Sequence, residues 1–313
     1  MKIRYMIFFS AVSLLTWSCI FVFALKKDLT MGIYKDFFRV KISKAIHDTG
    51  PRFFVIAGSN GLYSHDAETF EKMFGIHATN LSMVVNFPVS YLFRRYKKML
   101  RAGDIVYLPL EYRNYSGEKT NSFGDVYDIT IERRFNNLDI IRFYKCFSYF
   151  ELHFLVESIV EQGLVVAGFK RRVTVDSLTP YGDFSDNLEE KAPLYSDYLN
   201  SLPKTSITYS GADPGLKEFL TWASDNKIIV IGGLPTTFED TFISEETIKR
   251  IEKLFVDHGA LFLTVKNKSL YPRDAFYDTA YHLTRRMQIY HSTIVADAIL
   301  EKWPALLKRE RKK

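Results

Sequence analysis

The stretch "FFVIAGSNGLYSHD", Phe53 to Asp66, decides how the rest of the chain is read. Phe53 to Ala57 is a continuous apolar run of strand length, the pattern of a strand covered on both faces. It stops at Gly58, where the backbone is free to turn sharply, and Ser59 follows at once. A serine on such an exit is either a turn residue or a nucleophile. The second reading requires a base within reach.

Downstream, "HDAETFEKMFG" places Ala67, Phe70, Met73 and Phe74 on one helical stripe, with Asp66 as N-cap and Gly75 as the stop. "ATNLSM" (Ala78 to Met83) reads as a second strand. Pro88 opens a helix with Leu92, Phe93, Tyr96, Met99 and Leu100 inward, Gly103 ends it, and "DIVYLPL" (Asp104 to Leu110) is a third strand. The alternation lapses from about Tyr112 to Asp213. Phe135 to Val160 is the strongest helical segment there, and a Ser/Pro/Tyr-rich run from Asp176 to Pro214 closes it. Then come a helix over "GLKEFLTWASDNK", a strand at Ile228 to Leu234, a helix over "SEETIKRIEKLFVDHG", a strand at Ala260 to Val265 and a last helix from Thr284. Five buried strands with helical crossovers predict a three-layer α/β domain on a mainly parallel five-stranded sheet over 51–313, with a largely helical insertion at about 113–214.

Upstream, Tyr5 to Leu25 is 21 residues without a charge between Lys2/Arg4 and Lys26/Lys27. At ~1.5 Å per residue it is long enough for a bilayer core of about 30 Å. It lacks a small-x-small cleavage site, and Trp17 spoils a lipoprotein reading of "LTWSC", so residues 1–27 are expected to be an uncleaved transmembrane anchor and 28–50 a juxtamembrane segment. Flanking positive charge is balanced and leaves the orientation open.

With 47% hydrophobic and 25% charged residues in a chain of 313, a packed globular protein is expected rather than a disordered one. The net charge of +6 forms no dominant cluster; "KRERKK" (Lys308 to Lys313) is a solvated end or a weak headgroup contact, and no nucleic-acid-binding motif is present. The two cysteines, Cys19 in the anchor and Cys146 in the middle, suit neither a disulfide nor a metal, and no cofactor is expected.

Ligands of such sheets gather at the carboxyl ends of the strands, where Ser59 stands. Of seven histidines, His282 lies in "RDAFYDTAYHLT" (Arg273 to Thr284), after the fifth strand, with Asp278 four residues earlier. A loop of that length brings the carboxylate onto the imidazole, fixing its tautomer and leaving the other nitrogen for a serine. Glu111, at the end of the third strand, either meets a substrate hydroxyl or pairs with Arg113. The aromatics Tyr112, Tyr115, Tyr127, Phe143, Tyr144, Tyr149, Phe150 and Phe154 either stack on sugar rings or form the insertion's core, and "GFKRRV" (Gly168 to Val173) is a solvated turn or a contact for a polyanion.

"IAGSNG", "NLSM", "GDIVYLPLEY" and "FYDTAYHLT", in that order, resemble the SGNH/GDSL hydrolase superfamily, and more narrowly the membrane-anchored SGNH-like proteins of bacterial envelope polysaccharide acylation. The resemblance spans roughly 50–112 and 215–300. It implies a flavodoxin-like sheet, a Ser59–His282–Asp278 triad, an oxyanion site from Ser59, Asn60 and Ser82, and an extracytoplasmic catalytic domain at the inner membrane. It also implies a serine esterase or O-acetyltransferase acting on an envelope polysaccharide, with a multi-pass membrane acyltransferase as acyl donor. A catalytically inactive glycan-binding or assembly protein is the alternative. "GSN" stands where the superfamily has "GDS", Ser82 where it has glycine, Glu111 where it has asparagine, and D-x-x-x-H where it has D-x-x-H.

Overall fold

The computed structural model describes residues 2–26, 32–47, 50–117, 124, 127–128, 160, 163–164, 166–168 and 174–307. Expectations for Phe135 to 159, Cys146, the aromatics from Phe143 to Phe154, residues 169–173 and the "KRERKK" tail lie outside these residues. Contacts divide the chain into Met1–Asp36 with Ser122–Thr174, and Phe37–Asn121 with Val175–Lys313.

In the first unit, α1 runs from Lys2 to Lys26. The apolar side chains Ile3, Met6, Ile7, Phe8, Phe9, Leu14 and Leu15 are exposed, and Cys19 is a free thiol. Among the described residues no helix is long and apolar enough to cross a membrane.

The second unit is an α/β domain on a five-stranded sheet. Its strands are β1 (Arg52–Val55), β2 (His77–Asn80), β3 (Ile105–Leu108), β4 (Ile229–Gly233) and β5 (Leu261–Leu263), in the order β2-β1-β3-β4-β5. Every pairing is parallel, as in Phe53 opposite Ile105 and Ile105 opposite Ile229. This is the flavodoxin-like order, and its direction reverses between β1 and β3. β1 and β3 are buried along their whole length, which is why they read as unbroken apolar runs.

The helices are α2 (Gly32–His47), α3 (Ser59–Ser64), α4 (Ala67–Phe74), α5 (Val89–Tyr96), α6 (Pro214–Asp225), α7 (Glu245–Val256) and α8 (Arg285–Lys302). Local chemistry sets several boundaries. The Asp66 side chain accepts from Thr69 N to begin α4, and Gly75 ends it at φ 67°. α5 stops at Tyr96 rather than continuing to Gly103, because the buried Arg52 guanidinium takes the Met99 carbonyl (2.8 Å) while pairing with Asp104. The core joins Phe53, Phe70 and Phe74 to Tyr107, Ile231, Val295 and Ile299.

The stretch from Val175 to Asp213, expected inside the insertion, belongs to the α/β unit. It is pinned by polar contacts. Phe184 N donates to Leu62 O (3.0 Å), Asp183 accepts from Ala67 N (2.9 Å), and the Asn187 amide donates to Leu283 O (2.7 Å).

Candidate functional site

The chain leaves β1 into a confined elbow. A Cβ at Gly58 would collide with the Glu111 carboxylate, and one at Gly61 would collide with Ser82 Oγ. Close approach therefore requires glycine at position 61, while a Cβ at position 58 would push the Glu111 carboxylate aside. Ser59 is the first residue of α3, 8% exposed, and its Oγ makes no hydrogen bond among the described residues. Helical spacing places Tyr63 on the same face as Ser59.

The other half of the site arrives from beyond β5. Residues 276–283 form a tight loop closed by the Phe276–Leu283 bridge and by Tyr277 N donating to His282 O (2.7 Å). Within it His282 Nδ1 lies 2.6 Å from Asp278 Oδ1. An ionised carboxylate only accepts, so Nδ1 carries the proton and Nε2 keeps a lone pair. The two side chains are 12% and 22% exposed, so the pair is partly shielded yet reachable.

This loop is fastened to α3 in two ways. The His282 imidazole lies flat on the Tyr63 ring, with centroids 3.9 Å apart and planes 7° apart, and Tyr63 stacks in turn on Phe184 at 4.2 Å. The Tyr281 carbonyl accepts from Ser64 Oγ (2.8 Å) and Asn60 Nδ2 (3.2 Å), with Thr236 Oγ1 3.3 Å away. Thr236, just past β4, also accepts from Asn60 Nδ2 at 2.7 Å and donates to Ser64 Oγ at 2.9 Å. Ser59, Asp278 and His282 thus stand on two segments that are bonded to each other.

The expected oxyanion donors are mostly engaged elsewhere. Glu111, expected to face a substrate or Arg113, is 3% exposed and turns inward. Its carboxylate accepts from Asn60 N at 2.9 Å and from Gly58 N at 3.2 Å, while Arg113 donates to the Val85 carbonyl. Ser82 N donates to Asn80 Oδ1 at 3.0 Å, and the Ser82 hydroxyl accepts from Ala57 N. Of the three expected amides, that of Ser59 alone makes no hydrogen bond among the described residues.

Beneath the site is a fully buried polar layer. Lys41, 0% exposed, donates to the carbonyls of Asn80 and Gly182. Burial lowers its pKa, opposed by the nearby Asp183, whose own carboxyl burial pushes up. His65 and His291 meet at 5.0 Å on the far side of α3, and His291 Nδ1 pairs with Tyr271 OH at 2.8 Å. Burial pushes His291 down to about 3; burial and the neighbouring His291 hold His65 well below the usual imidazole range. Burial pushes the Tyr281 phenol up to about 12, with Glu111 adding to the effect, so it remains a donor.

Sequence reasoning did not single out Tyr63, Ser64 or Thr236. The spacing Ser59–Tyr63 was the available signal for the first; nothing local marks Thr236. A cleft of about 280 Å³ opens at the base of the His282 loop, lined by Ser196, Leu199, Asn200, Arg273, Asp274 and Phe276 among others; Ser59 and His282 are not in its lining. Among the described residues no three His, Cys, Asp or Glu side chains are grouped to hold a metal. Compared with known proteins, the chain matches no family model, no curated protein and no solved structure.

Proposed function

We propose that the chain is a serine acyl-ester enzyme of SGNH type, an O-acetyltransferase or acetylesterase acting on an envelope polysaccharide. Its nucleophile is Ser59, its base His282, and its orienting carboxylate Asp278. The observation that carries this reading is the Asp278–His282 contact of 2.6 Å on a loop stacked and hydrogen-bonded onto the helix that begins with Ser59. A binding protein has no need of a tautomer-fixed imidazole stacked on the helix that begins with a serine at a strand exit.

In the first step His282 Nε2 takes the Ser59 proton as Oγ bonds to the acyl carbon, and the carbonyl pair moves onto oxygen. Collapse of that adduct breaks the ester bond, and the departing alcohol oxygen receives the proton from the imidazolium. In the second step Nε2 deprotonates water or a sugar hydroxyl, which attacks the acyl-enzyme, and Ser59 recovers its proton. Water and a sugar hydroxyl follow the same route and differ only in how the acceptor is held.

The exposed apolar side chains of α1 support an N-terminal membrane anchor, and the extracytoplasmic placement of the α/β domain follows from the SGNH-like resemblance rather than from the charges that flank α1. A multi-pass membrane acyltransferase is the proposed acyl donor. The alternative, a catalytically inactive glycan-binding or assembly protein, is favoured by one observation: of the three amides expected to receive the oxyanion, Asn60 N is taken by the buried Glu111 carboxylate and Ser82 N by Asn80 Oδ1.

The test is p-nitrophenyl acetate turnover by the full chain in detergent micelles, beside Ser59→Ala and His282→Ala. Both substitutions are expected to reduce turnover to background, a loss of about 10³-fold or more for groups that act as a unit. Turnover that survives in either folded variant removes the triad.

A further inference from the structure

The position of Glu111 has a chemical consequence that rests on the serine-nucleophile reading above. When a serine on a strand-to-helix elbow attacks an acyl carbon, the N–H of the following residue is a natural donor to the oxygen that becomes negative. Here that N–H belongs to Asn60, and it already donates to Glu111 Oε1 at 2.9 Å. The second carboxylate oxygen holds Gly58 N at 3.2 Å, and the group is 3% exposed. A side-chain carboxylate already takes the donor that the oxyanion would use.

Two independent features mark the same closed condition. Ser59 Oγ makes no hydrogen bond among the described residues, including to His282. Asn60 Oδ1 is buried with no partner among the described residues although its amide nitrogen has several, an imbalance that a settled polar network avoids.

We infer that Glu111 is a built-in gate: its carboxylate closes the Asn60 amide of the oxyanion site, and acyl transfer runs at its full rate only when that carboxylate is displaced. As long as it stays, developing negative charge meets both an occupied donor and a like charge. When it leaves, Asn60 N and Ser59 N are both open to the acyl oxygen. The turn that follows Glu111 carries two buried phenol donors, Tyr112 and Tyr115, that have no partner among the described residues and offer a displaced carboxylate new donors. Both phenols are held protonated by burial.

The gate predicts a gain of reactivity on its removal, the reverse of what loss of a supporting residue gives. The experiment measures the labelling rate of the full chain in detergent micelles by a fluorophosphonate. In that reaction Ser59 Oγ bonds to phosphorus, fluoride leaves, His282 takes the proton, and the phosphonyl oxygen needs the same amides. Glu111→Ala and Glu111→Gln are compared with the wild type, each also with Ser59→Ala, and folding is checked by circular dichroism. The expected result is labelling about 10- to 100-fold faster in Glu111→Ala, below the ~10³ upper range for one oxyanion donor. Glu111→Gln, which removes the charge but keeps the shape, is expected to give a smaller rise, and both rises vanish with Ser59→Ala. Folded variants that label at the wild-type rate or slower, while the wild type does label at Ser59, overturn the gate and leave the nucleophile standing. Absence of labelling in every folded variant overturns the gate together with the serine reading.

Discussion

Three histidines stand around α3, and the molecule treats them in opposite ways. His282 is partly exposed, bonded to a carboxylate through Nδ1 and laid on an aromatic ring. His65 and His291 are fully buried, have no carboxylate partner among the described residues, and are kept neutral by burial. One environment supports the imidazolium that a proton transfer creates; the other forbids it. The residue type is the same, and the partner within 3 Å decides the role.

The contrast breaks most strongly at Asp278. Asp278→Asn keeps the shape but offers the imidazole a neutral amide, which holds the wrong tautomer and cannot stabilise the imidazolium. In full-length protein the expected fall in p-nitrophenyl acetate turnover is about 10²–10⁴-fold, at little cost in thermal stability. A variant within a factor of three of wild type removes Asp278 from the site.

A smaller effect is expected from the stack. Aromatic pairs carry ~0.5–1.5 kcal/mol beyond their area, so Tyr63→Ala should lower turnover by roughly 3- to 10-fold. Tyr63→Phe keeps the ring and is expected to restore the rate. A Phe variant as impaired as the Ala variant assigns the role to the hydroxyl instead.

The least effect on activity belongs to the buried pair, whose signature is stability. Its folded pKa values are lowered, so above pH ~6.5 it contributes no pH dependence. As pH falls below that value the unfolded chain takes up protons that the folded one refuses, and stability declines. For His291 the window runs from about 6.5 down to about 3, at roughly 1 kcal/mol per pH unit. Urea unfolding of His291→Leu at pH 7 and pH 5 should show a smaller drop than wild type, with esterase turnover nearly unchanged. The variant-minus-wild-type difference isolates the imidazole from Asp183, whose raised pKa acts in the opposite sense. An equal drop in the two proteins overturns this assignment.

Much of this was legible along the chain. The apolar run Phe53 to Ala57 marked β1 because a strand buried on both faces has no polar alternation. Asp66 and Gly75 marked the ends of α4 because capping is local chemistry. The Asp278–His282 contact follows from four residues of loop. Less was legible where distant backbone intervened: the helix expected to reach Gly103 stops at Tyr96 because of a guanidinium from β1, and the run from Val175 to Asp213 joins the domain through contacts to Leu62, Ala67 and Leu283.

What the sequence determined by itself was therefore the set of short-range patterns: strand runs, caps, the parallel α/β alternation, and an Asp–His pair after the last strand. The tertiary structure alone decided that Glu111 turns inward onto the amides of Gly58 and Asn60, that Tyr63 lies under His282, and that Thr236 ties two segments together. Those partners are 51 to 219 residues apart, and no periodicity or motif within one segment encodes which distant group will fill an amide or cover a ring. Burial makes such pairings obligatory, because a polar group withdrawn from water must find whatever partner the fold brings to it.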